Sequence, residues 1–434
     1  MFKRLFRLVL CWIASGAVTL AAQPLTTLFV NYLPPSQELE VAGQIQSEYG
    51  AADSTVHLLL SSRVQSLSVF FRTDIDSIPA EGKRLGADTV AVSIPAQAVF
   101  ANSWQLNFSY SWPLDPLQDS LILLDRGHRW YPILLDQLVN AITMVALPDD
   151  YRVLSVGKRF NESALSGVRT VAFQTLIPVF KIPLLIYRDG YFREVTTKCG
   201  ETKITIEART VADSVMRTIV AEACSTLVYM EKNFGPYHHP GLTLVETSEF
   251  PGMNIGTGIV TIGSDMMAGF AQGYYEGLHL CIAQQWFGAG AFVHFPTQGY
   301  WLLTVSLPHQ IRLMYETRDF APEEQAARWE EQLDPYRKFA GTERDVPLLE
   351  VDMPNTQEKG ALIYSKAPRV FEEVRRCVGD ERWREFLRAL YRDYQGKQLD
   401  WPIFVSALEP FDQDHHCTER MLHLCTSTGE SALK

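Results

Sequence analysis

The sequence predicts an α+β fold in which a strand-rich half precedes a helix-rich half. Between about Leu39 and Ile186, short runs of alternating or β-branched residues are separated by Gly, Pro, Asp or Asn, which is typical of strands. After about Lys203, apolar residues recur at helical spacing instead. Many short strands without intervening helices indicate that the first half is a β-sandwich.

These runs give the predicted elements in chain order. In the first half, the predicted strands are Val56–Leu60, Leu67–Phe71, Thr89–Ile94, Ser103–Tyr110, Ala141–Leu147 and Val168–Phe173. In the second half, an apolar face with four-residue spacing predicts a helix over Val211–Lys232. The remaining predictions are strands at Leu242–Val245 and Gly258–Ile262, and helices at Tyr274–Phe287, Val370–Val378 and Arg382–Tyr394.

The first 22 residues have the pattern of a secretory signal peptide. Three basic residues precede an apolar run from Leu8 to Ala22, and two small residues come directly before Gln23. The run is shorter than the roughly 20 residues that a membrane-spanning helix needs. We therefore expect cleavage near Gln23 and an exported protein, periplasmic or extracellular, that is not an integral membrane protein. Retention of this segment as an anchor is the alternative.

The charge balance excludes one class of partner. Loss of residues 1–22, which hold three basic and no acidic residues, would lower the net charge from −11 to −14. Such a chain is not expected to bind nucleic acid or anionic membrane surfaces. With 47% hydrophobic and 21% charged residues, the composition is that of a globular protein, and the length predicts two or three domains.

Six cysteines follow residue 22, an even number that permits disulfides in an exported protein. They are Cys199, Cys224, Cys281, Cys377, Cys417 and Cys425. Their wide spacing argues against a disulfide-stapled scaffold. Cys417 and Cys425 are close enough in sequence to suggest a pair, and this pairing is a hypothesis.

Several short motifs occur in an ordered series along the chain. They are Arg129-Trp130-Tyr131-Pro132, Phe234-Gly235-Pro236-Tyr237, Pro251-Gly252-Met253-Asn254, Gln285-Trp286-Phe287-Gly288, Tyr364-Ser365-Lys366-Ala367 and Val378-Gly379-Asp380-Glu381. Their order and spacing resemble those of the zinc aminopeptidases of the aminopeptidase N and leukotriene hydrolase family, the gluzincin peptidases. The resemblance extends from about Leu39 to Phe411.

This resemblance implies the domain organisation and the site. A β-sandwich is expected over residues 23–195, a thermolysin-like α/β domain over 196–412, and a His- and Cys-containing tail over 413–434. The resemblance also leads us to expect that the large helical C-terminal domain of longer family members is absent. By resemblance, Gly252, Met253 and Asn254 belong to the substrate groove, and Tyr364 is the residue that would steady a tetrahedral oxyanion.

The zinc motif of the family, His-Glu-x-x-His, is absent from the matching helix. In the family, the two imidazoles bind the metal and the Glu activates a water molecule. Counting back from Gln285, the corresponding residues are Leu280, Cys281 and Gln284, and the third ligand falls at Leu303 or Thr304. The groove strand also lacks the Glu that would grip a peptide amino terminus. We therefore expect neither zinc nor any other cofactor.

Other metal-capable groups give weaker signals. Glu276 and His279 have the spacing of a metal pair, but His279 should face about 100° away from the family's metal position. A core or surface histidine is the simpler interpretation. His238 and His239 form a loop pair. The tail cluster of His415, His416, Cys417, His423 and Cys425 has irregular spacing for a zinc site.

Three functions remain open from the sequence. The first is an exported, catalytically inactive relative of the zinc aminopeptidases that binds a peptide or an exported protein through the groove between its domains. The second is an active hydrolase with a relocated centre, built from Glu276, His279 and Tyr364. The third is a structural or assembly partner that does not use the groove.

Overall fold

The structure is a computed structural model that describes residues 23–32, 34, 38–48, 55–72, 76–99, 103–114, 121–134, 137–412 and 415–430. The signal peptide predicted at residues 1–22 lies outside the described residues. No helix in the described ranges is both long and apolar enough to cross a membrane.

The N-terminal half is built from fifteen described strands. They are β1 Leu25–Tyr32, β2 Glu38–Glu48, β3 Thr55–Leu59, β4 Gln65–Arg72, β5 Ser77–Ala80, β6 Gly82–Arg84, β7 Thr89–Ser93, β8 Ser103–Pro113, β9 Leu121–Leu124, β10 Ile133–Leu134, β11 Asn140–Pro148, β12 Tyr151–Ser155, β13 Lys158–Leu165, β14 Val168–Gln174 and β15 Leu184–Arg188. All six predicted strands of this half are present.

These strands form the predicted sandwich. The sheet β13-β14-β11-β1-β2-β8-β4-β5 packs against the sheets β10-β3-β7-β6 and β12-β15-β9 around one apolar core. Alternation along the strands decides which side chains enter this core. Leu28 of the large sheet and Val92 of the facing sheet are both fully buried, for example. The pairing is antiparallel except between β1 and β11, which run parallel.

The C-terminal half contains the remaining strands and all of the described α-helices. The strands are β16 Arg193–Cys199, β17 Thr202–Ala208, β18 Gly241–Thr247, β19 Met253–Ile255, β20 Ile259–Gly263, β21 Phe287–Gly288, β22 Ala291–Val293 and β23 Gln398–Leu399. The helices are α1 Asp213–Phe234, α2 Ser264–Ala271, α3 Glu276–Ala283, α4 Leu307–Glu316, α5 Pro322–Glu331, α6 Asp334–Arg337, α7 Gln357–Ala361, α8 Ala367–Val378, α9 Asp380–Tyr394, α10 Trp401–Leu408 and α11 His416–Thr426.

A mixed sheet of order β16-β17-β18-β20-β19 organises this half. The pairs β17–β18 and β18–β20 are parallel, whereas the edge strand β19 runs antiparallel to β20. Ile204, Ile206 and Leu244 of the sheet share a core with Ile219 and Leu227 of α1. The helix ends at Gly235, whose positive φ of 108° favours glycine.

The mixed α+β fold predicted from the sequence is therefore confirmed. The helix predicted over Val211–Lys232 begins and ends two residues later, at Asp213–Phe234. The helix predicted over Tyr274–Phe287 is shorter, because α3 ends at Ala283 and Phe287 already belongs to β21. The predicted domain boundary at residue 195 falls within strand β16.

The disulfide hypothesis for Cys417 and Cys425 is wrong. Cys417 pairs with Cys377, Cys199 pairs with Cys224, and Cys425 is buried as a free thiol. Both tail cysteines lie on α11, eight residues apart, which places them about 12 Å apart along the helix axis. A disulfide requires Cα atoms within about 7 Å. Two disulfides are typical of proteins from an oxidising compartment.

Candidate functional site

Helix α3 carries the positions at which the resemblance placed the first metal ligand and the general base. Leu280 is half-buried, and Cys281 is fully buried beside Ile282 and Ala283. The Cys281 thiol donates a hydrogen bond to the carbonyl oxygen of Leu278, 3.2 Å away in the same helix. Burial raises the pKa of this thiol to about 12, so it stays protonated and unreactive at neutral pH.

Gln284, at the second ligand position, connects the end of α3 to the segment that carries the third. Its Nε2 donates to the carbonyl oxygen of Thr304 at 2.8 Å. Its Oε1 is buried and has no hydrogen-bond partner among the described residues. Two positions that the resemblance assigned to one metal therefore do lie side by side, joined by an amide hydrogen bond.

Leu303 and Thr304 belong to a π-helical segment, Leu302–Ser306. Leu303 is buried in the core, and the Thr304 hydroxyl donates to the carbonyl oxygen of Tyr300 at 2.7 Å. A second π-helical segment, Leu362–Lys366, contains Tyr364. The Ser306 hydroxyl joins the two segments by donating to the Ile363 carbonyl oxygen at 2.7 Å. π-Helical turns are rare and are frequent at functional sites.

The residues at these positions do not fit a zinc ion. Zinc in proteins is bound by Cys thiolates, His nitrogens and Asp or Glu oxygens. Leu280 and Leu303 carry no donor atom, and the Thr304 hydroxyl and Cys281 thiol are already hydrogen-bonded to main-chain carbonyls. Within the described ranges, no three or more His, Cys, Asp or Glu residues are grouped so that they could hold a metal ion.

Tyr364 is the most accessible of the predicted site residues. Its side chain is 40% exposed, and its ring lies 5.9 Å from the ring of His309. Its main-chain carbonyl accepts a hydrogen bond from Gln332 at 2.7 Å, which anchors the segment. Partial burial raises the pKa of Tyr364, so the hydroxyl is protonated at neutral pH and can donate to a ligand.

The predicted groove residues Gly252, Met253 and Asn254 lie at and just before β19, the edge strand. Gly252 has a positive φ of 85°, and its carbonyl oxygen accepts from the Gly263 amide at 2.7 Å. Met253 packs on α3, since a Cβ added at Gly277 would meet its Cε at 3.2 Å. Among the described strands, β20 is the only neighbour of β19, so one long side of β19 carries no described strand.

Asn254 is bound by two residues from the N-terminal half that the sequence analysis did not single out. Its amide nitrogen donates to Asp125, and its amide oxygen accepts from Lys181 Nζ at 2.6 Å. Asp125 in turn lies 2.9 Å from Nδ1 of His128. Asp125 directly follows β9, and His128 directly precedes the Arg129–Pro132 motif, whereas Lys181 lies between β14 and β15. No sequence pattern connects them to Asn254.

The protonation of this cluster follows from its burial and its pairing. Burial lowers the pKa of Lys181 to about 8. Burial opposes ionisation of Asp125, but hydrogen bonds and the charges of His128 and Lys181 hold its pKa below the ordinary value. The hydrogen bond to Asp125 raises the pKa of His128. The Lys181 ammonium therefore lies near the Asp125 carboxylate beside β19, and Asp125 favours the protonated form of His128.

His279 is a core histidine held between two carboxylates. Its Nδ1 lies 2.9 Å from Glu316 Oε1, and its Nε2 lies 2.9 Å from Glu222 Oε1. Glu276, by contrast, is exposed at the start of α3. Both ring nitrogens of His279 are therefore hydrogen-bonded, and their partners are Glu316 and Glu222 instead of Glu276 or Tyr364. These hydrogen bonds therefore do not join His279 to the other two residues of the relocated centre considered from the sequence.

The tail residues are parts of a packed helix. Cys417 and Cys425 are buried on α11, and His415 precedes that helix with a φ of 55°. His423 is exposed, and its carbonyl oxygen accepts from the Ser427 amide at 2.9 Å. The two histidines of the predicted loop pair differ in exposure, because His239 is buried and its neighbour His238 is only half-buried.

The fold matches that of solved two-domain M1 zinc metallopeptidases. A substrate-bound variant of the M1 zinc metallopeptidase from Deinococcus radiodurans, in complex with Tyr-Ser-Ala, superposes with a TM-score of 0.70 at 15% identity, over 94% of both chains. A two-domain M1 zinc metallopeptidase variant bound to L-arginine gives the same values. A variant bound to L-tryptophan gives 0.69 at 14% identity, over 92% of this chain and 94% of that one.

Sequence comparison gives no such match. No family model matches the chain, and neither does any curated protein. At 15% identity the structural likeness establishes the fold and does not by itself establish activity.

Proposed function

We propose that this chain is an exported, non-hydrolytic relative of the M1 peptidases that binds a peptide segment between its two halves. The peptide lies along the open side of β19 and within reach of Tyr364, and we call this surface the candidate groove. The chain uses it for recognition, without a zinc-dependent step.

The observation that carries the proposal is the hydrogen bond between Gln284 and Thr304. It joins two of the positions that the resemblance assigned to metal ligands, next to apolar Leu280 and Leu303. A partly buried hydrogen bond between neutral groups stands in place of the charged centre that a hydrolase of this fold would need. The buried, protonated thiol of Cys281 cannot replace the missing general base.

Peptide recognition is supported by the open edge of β19. An exposed sheet edge offers main-chain donors and acceptors that can pair with an extended peptide. An aromatic cluster of Phe295, Tyr300 and Trp301 directly precedes the π-helical segment Leu302–Ser306. Phe295 is 45% exposed and offers an apolar contact for a peptide side chain.

The charges beside β19 point to the kind of peptide. Met253 runs directly into Asn254, so no carboxylate follows Met253 to hold a free amino terminus. Instead, Lys181 donates a hydrogen bond to the side-chain oxygen of Asn254 and is protonated below about pH 8. The groove therefore binds internal peptide segments, and a free amino terminus contributes little to affinity.

Calorimetric titration with Tyr-Ser-Ala and its N-acetylated form tests this proposal. We expect both peptides to bind with dissociation constants within about threefold of each other, a difference below 1 kcal/mol. We also expect both to be recovered intact after prolonged incubation. A Tyr364→Phe variant should weaken binding by about five- to tenfold, through loss of one hydrogen bond.

A matched control is Tyr274→Phe, which removes a hydroxyl from another exposed tyrosine, 63% exposed, that precedes α3 in the chain. It should bind both peptides as the unchanged protein does. Absence of binding by either peptide, binding of the free peptide alone, or release of free tyrosine would each overturn the proposal.

A further inference from the structure

A second cavity lies between the two halves of the molecule, apart from the candidate groove. Its volume is about 260 Å³, the space of roughly nine water molecules. One wall is the face of β17 and β18 that α1 does not cover, because Ile204 and Ile206 point to α1 and the alternate residues point away. The opposite wall includes Leu154 of β12 and Tyr187 of β15.

The wall from β17 presents Lys203, Thr205 and Glu207 to this cavity. Glu207 is only 5% exposed, and its carboxylate accepts a hydrogen bond from the Tyr187 hydroxyl at 2.6 Å. Within the described ranges, no Lys, Arg or His nitrogen forms an ion pair with it. A buried carboxylate normally has a cationic partner, and the open space beside Glu207 is where one can enter.

Other groups in the lining also lack partners. His239 and Thr257 are both more than nine-tenths buried, and neither His239 Nε2 nor the Thr257 hydroxyl has a hydrogen-bond partner among the described residues. Burial lowers the pKa of His239 to about 4, so it is neutral and does not supply the missing positive charge. Phe173, Val153 and Ile259 add apolar surface.

The neighbouring cations are already engaged or lie at the rim. Arg152 is paired with Asp189 at 2.7 Å, and Arg159 is paired with Glu162 at 3.2 Å. Lys203 is an exposed residue four positions before Glu207 on the same strand. Strand geometry places their Cα atoms about 13 Å apart. The charges of Arg152 and Lys203 oppose the raised pKa of Glu207 and the charge of Glu194 adds to it, but no cation in the described ranges forms an ion pair with the carboxylate. The lining thus has a carboxylate without an ion-pair partner among the described residues, together with apolar surface and unpartnered polar groups.

We infer that this cavity is a binding site for a small organic ammonium ion, whose charged nitrogen pairs with Glu207 and whose carbon chain contacts the apolar wall. Butylammonium has this chemistry and is small enough for the volume. Butanol and butyrate share its carbon chain but offer a neutral and an anionic head group.

Glu207 gives the site a predictable response to pH. Burial raises the pKa of Glu207 to about 7, while butylammonium stays protonated throughout the neutral range. The carboxyl must lose its proton to pair with the ammonium ion. Affinity for butylammonium should therefore increase as pH rises from 6 to 8, and affinity for butanol should not change.

Calorimetric or NMR titration of the whole chain with butylammonium, butanol and butyrate tests the inference. At pH 8 we expect butylammonium to bind with a dissociation constant on the order of 1 mM, at least tenfold more tightly than the other two. The Glu207→Gln variant keeps the size of the side chain and should lose at least tenfold in affinity together with the pH dependence.

Glu201→Gln is the matched control, because Glu201 lies on the exposed turn before β17 and is not among the residues that line the cavity. It removes the same charge without a buried contact, and it should change affinity by no more than about twofold. Equal binding of butanol and butylammonium, unchanged binding in Glu207→Gln, or an equal loss in Glu201→Gln would each overturn the inference. Absence of butylammonium binding at a concentration about 50-fold above the expected dissociation constant would overturn it as well.

Discussion

Replacement of Cys281 by Glu restores the general base of the family in one step and tests how the helix is packed. Cys281 is fully buried among Leu278, Ile282 and Ala283. A carboxyl placed there has no counter-charge, so its folded-state pKa should rise by about 3–5 units from an unfolded value near 4.3. At pH 7 the folded carboxyl is protonated while the unfolded one is ionised.

The magnitude follows from this difference. Each pH unit between the unfolded pKa and pH 7 costs about 1.4 kcal/mol, which gives about 4 kcal/mol at pH 7. The larger side chain adds about 1–3 kcal/mol of steric cost that does not depend on pH. Because the folded pKa is raised, the ionisation cost is absent below about pH 4 and grows as the pH rises above it.

Thermal melts at pH 4.5 and pH 7 measure both parts. At about 2–4 °C per kcal/mol, we expect the Cys281→Glu variant to melt roughly 10–20 °C below the unchanged protein at pH 7, and much closer to it at pH 4.5. Cys281→Ala tests the loss of packing alone, and Leu280→Glu places the same charge on the half-buried neighbour. If Cys281→Glu melts like the unchanged protein at pH 7, α3 is loosely packed around residue 281 and the expected cost of burying a carboxyl there is wrong.

Three further predictions concern other contacts. Gln284→Ala should lose about 1 kcal/mol of unfolding free energy, measured by denaturant titration. Gln298→Ala, on the exposed surface, is the control. An equal loss in both variants would show that the Gln284–Thr304 hydrogen bond does not stabilise the fold. Lys181 has a lowered pKa of about 8, so its contribution to the unfolding free energy should increase as pH rises from about 8 to 10.5. Denaturant titrations over this range should show the unfolding free energy of the unchanged protein rising relative to that of Lys181→Met. An equal pH dependence in the two proteins would contradict the lowered pKa. Of the six cysteines after residue 22, only Cys281 and Cys425 should react with a thiol reagent after denaturation without reductant, and Cys377→Ser should lower stability by about 3–4 kcal/mol; four reactive thiols would contradict the disulfide assignment.

The sequence was sufficient for features that depend on local periodicity. Strand alternation predicted the sandwich, and the apolar face of α1 predicted its extent to within two residues. The family resemblance assigned Gln284, together with Leu303 or Thr304, to one site, and Gln284 donates a hydrogen bond to the Thr304 carbonyl oxygen. Local periodicity and motif spacing can both be read directly from the sequence.

The features that were missed depend on contacts between distant segments. Cys377 and Cys417 are 40 residues apart and meet because α8 and α11 pack together. Asn254 meets Asp125 across 129 residues, and His279 meets Glu222 across 57. No periodicity encodes such pairings, because they are set by how the helices and sheets pack after they form.

The cavity at Glu207 was hidden for a related reason. The alternation in Lys203–Glu207 indicates a strand with one polar face, and such a face is usually exposed to solvent. Here the sandwich covers it, so Thr205 and Glu207 are buried. Burial of that face depends on the arrangement of the two halves, which the sequence of β17 does not contain.

We propose that the candidate groove binds a peptide without zinc-dependent hydrolysis. Equilibrium dialysis of the purified protein against zinc and Tyr-Ser-Ala can be followed by mass spectrometry of the peptide and elemental analysis of the protein. We expect bound, intact peptide and much less than one zinc per chain. One zinc per chain, with release of tyrosine that a chelator abolishes, would show that the proposed function is wrong.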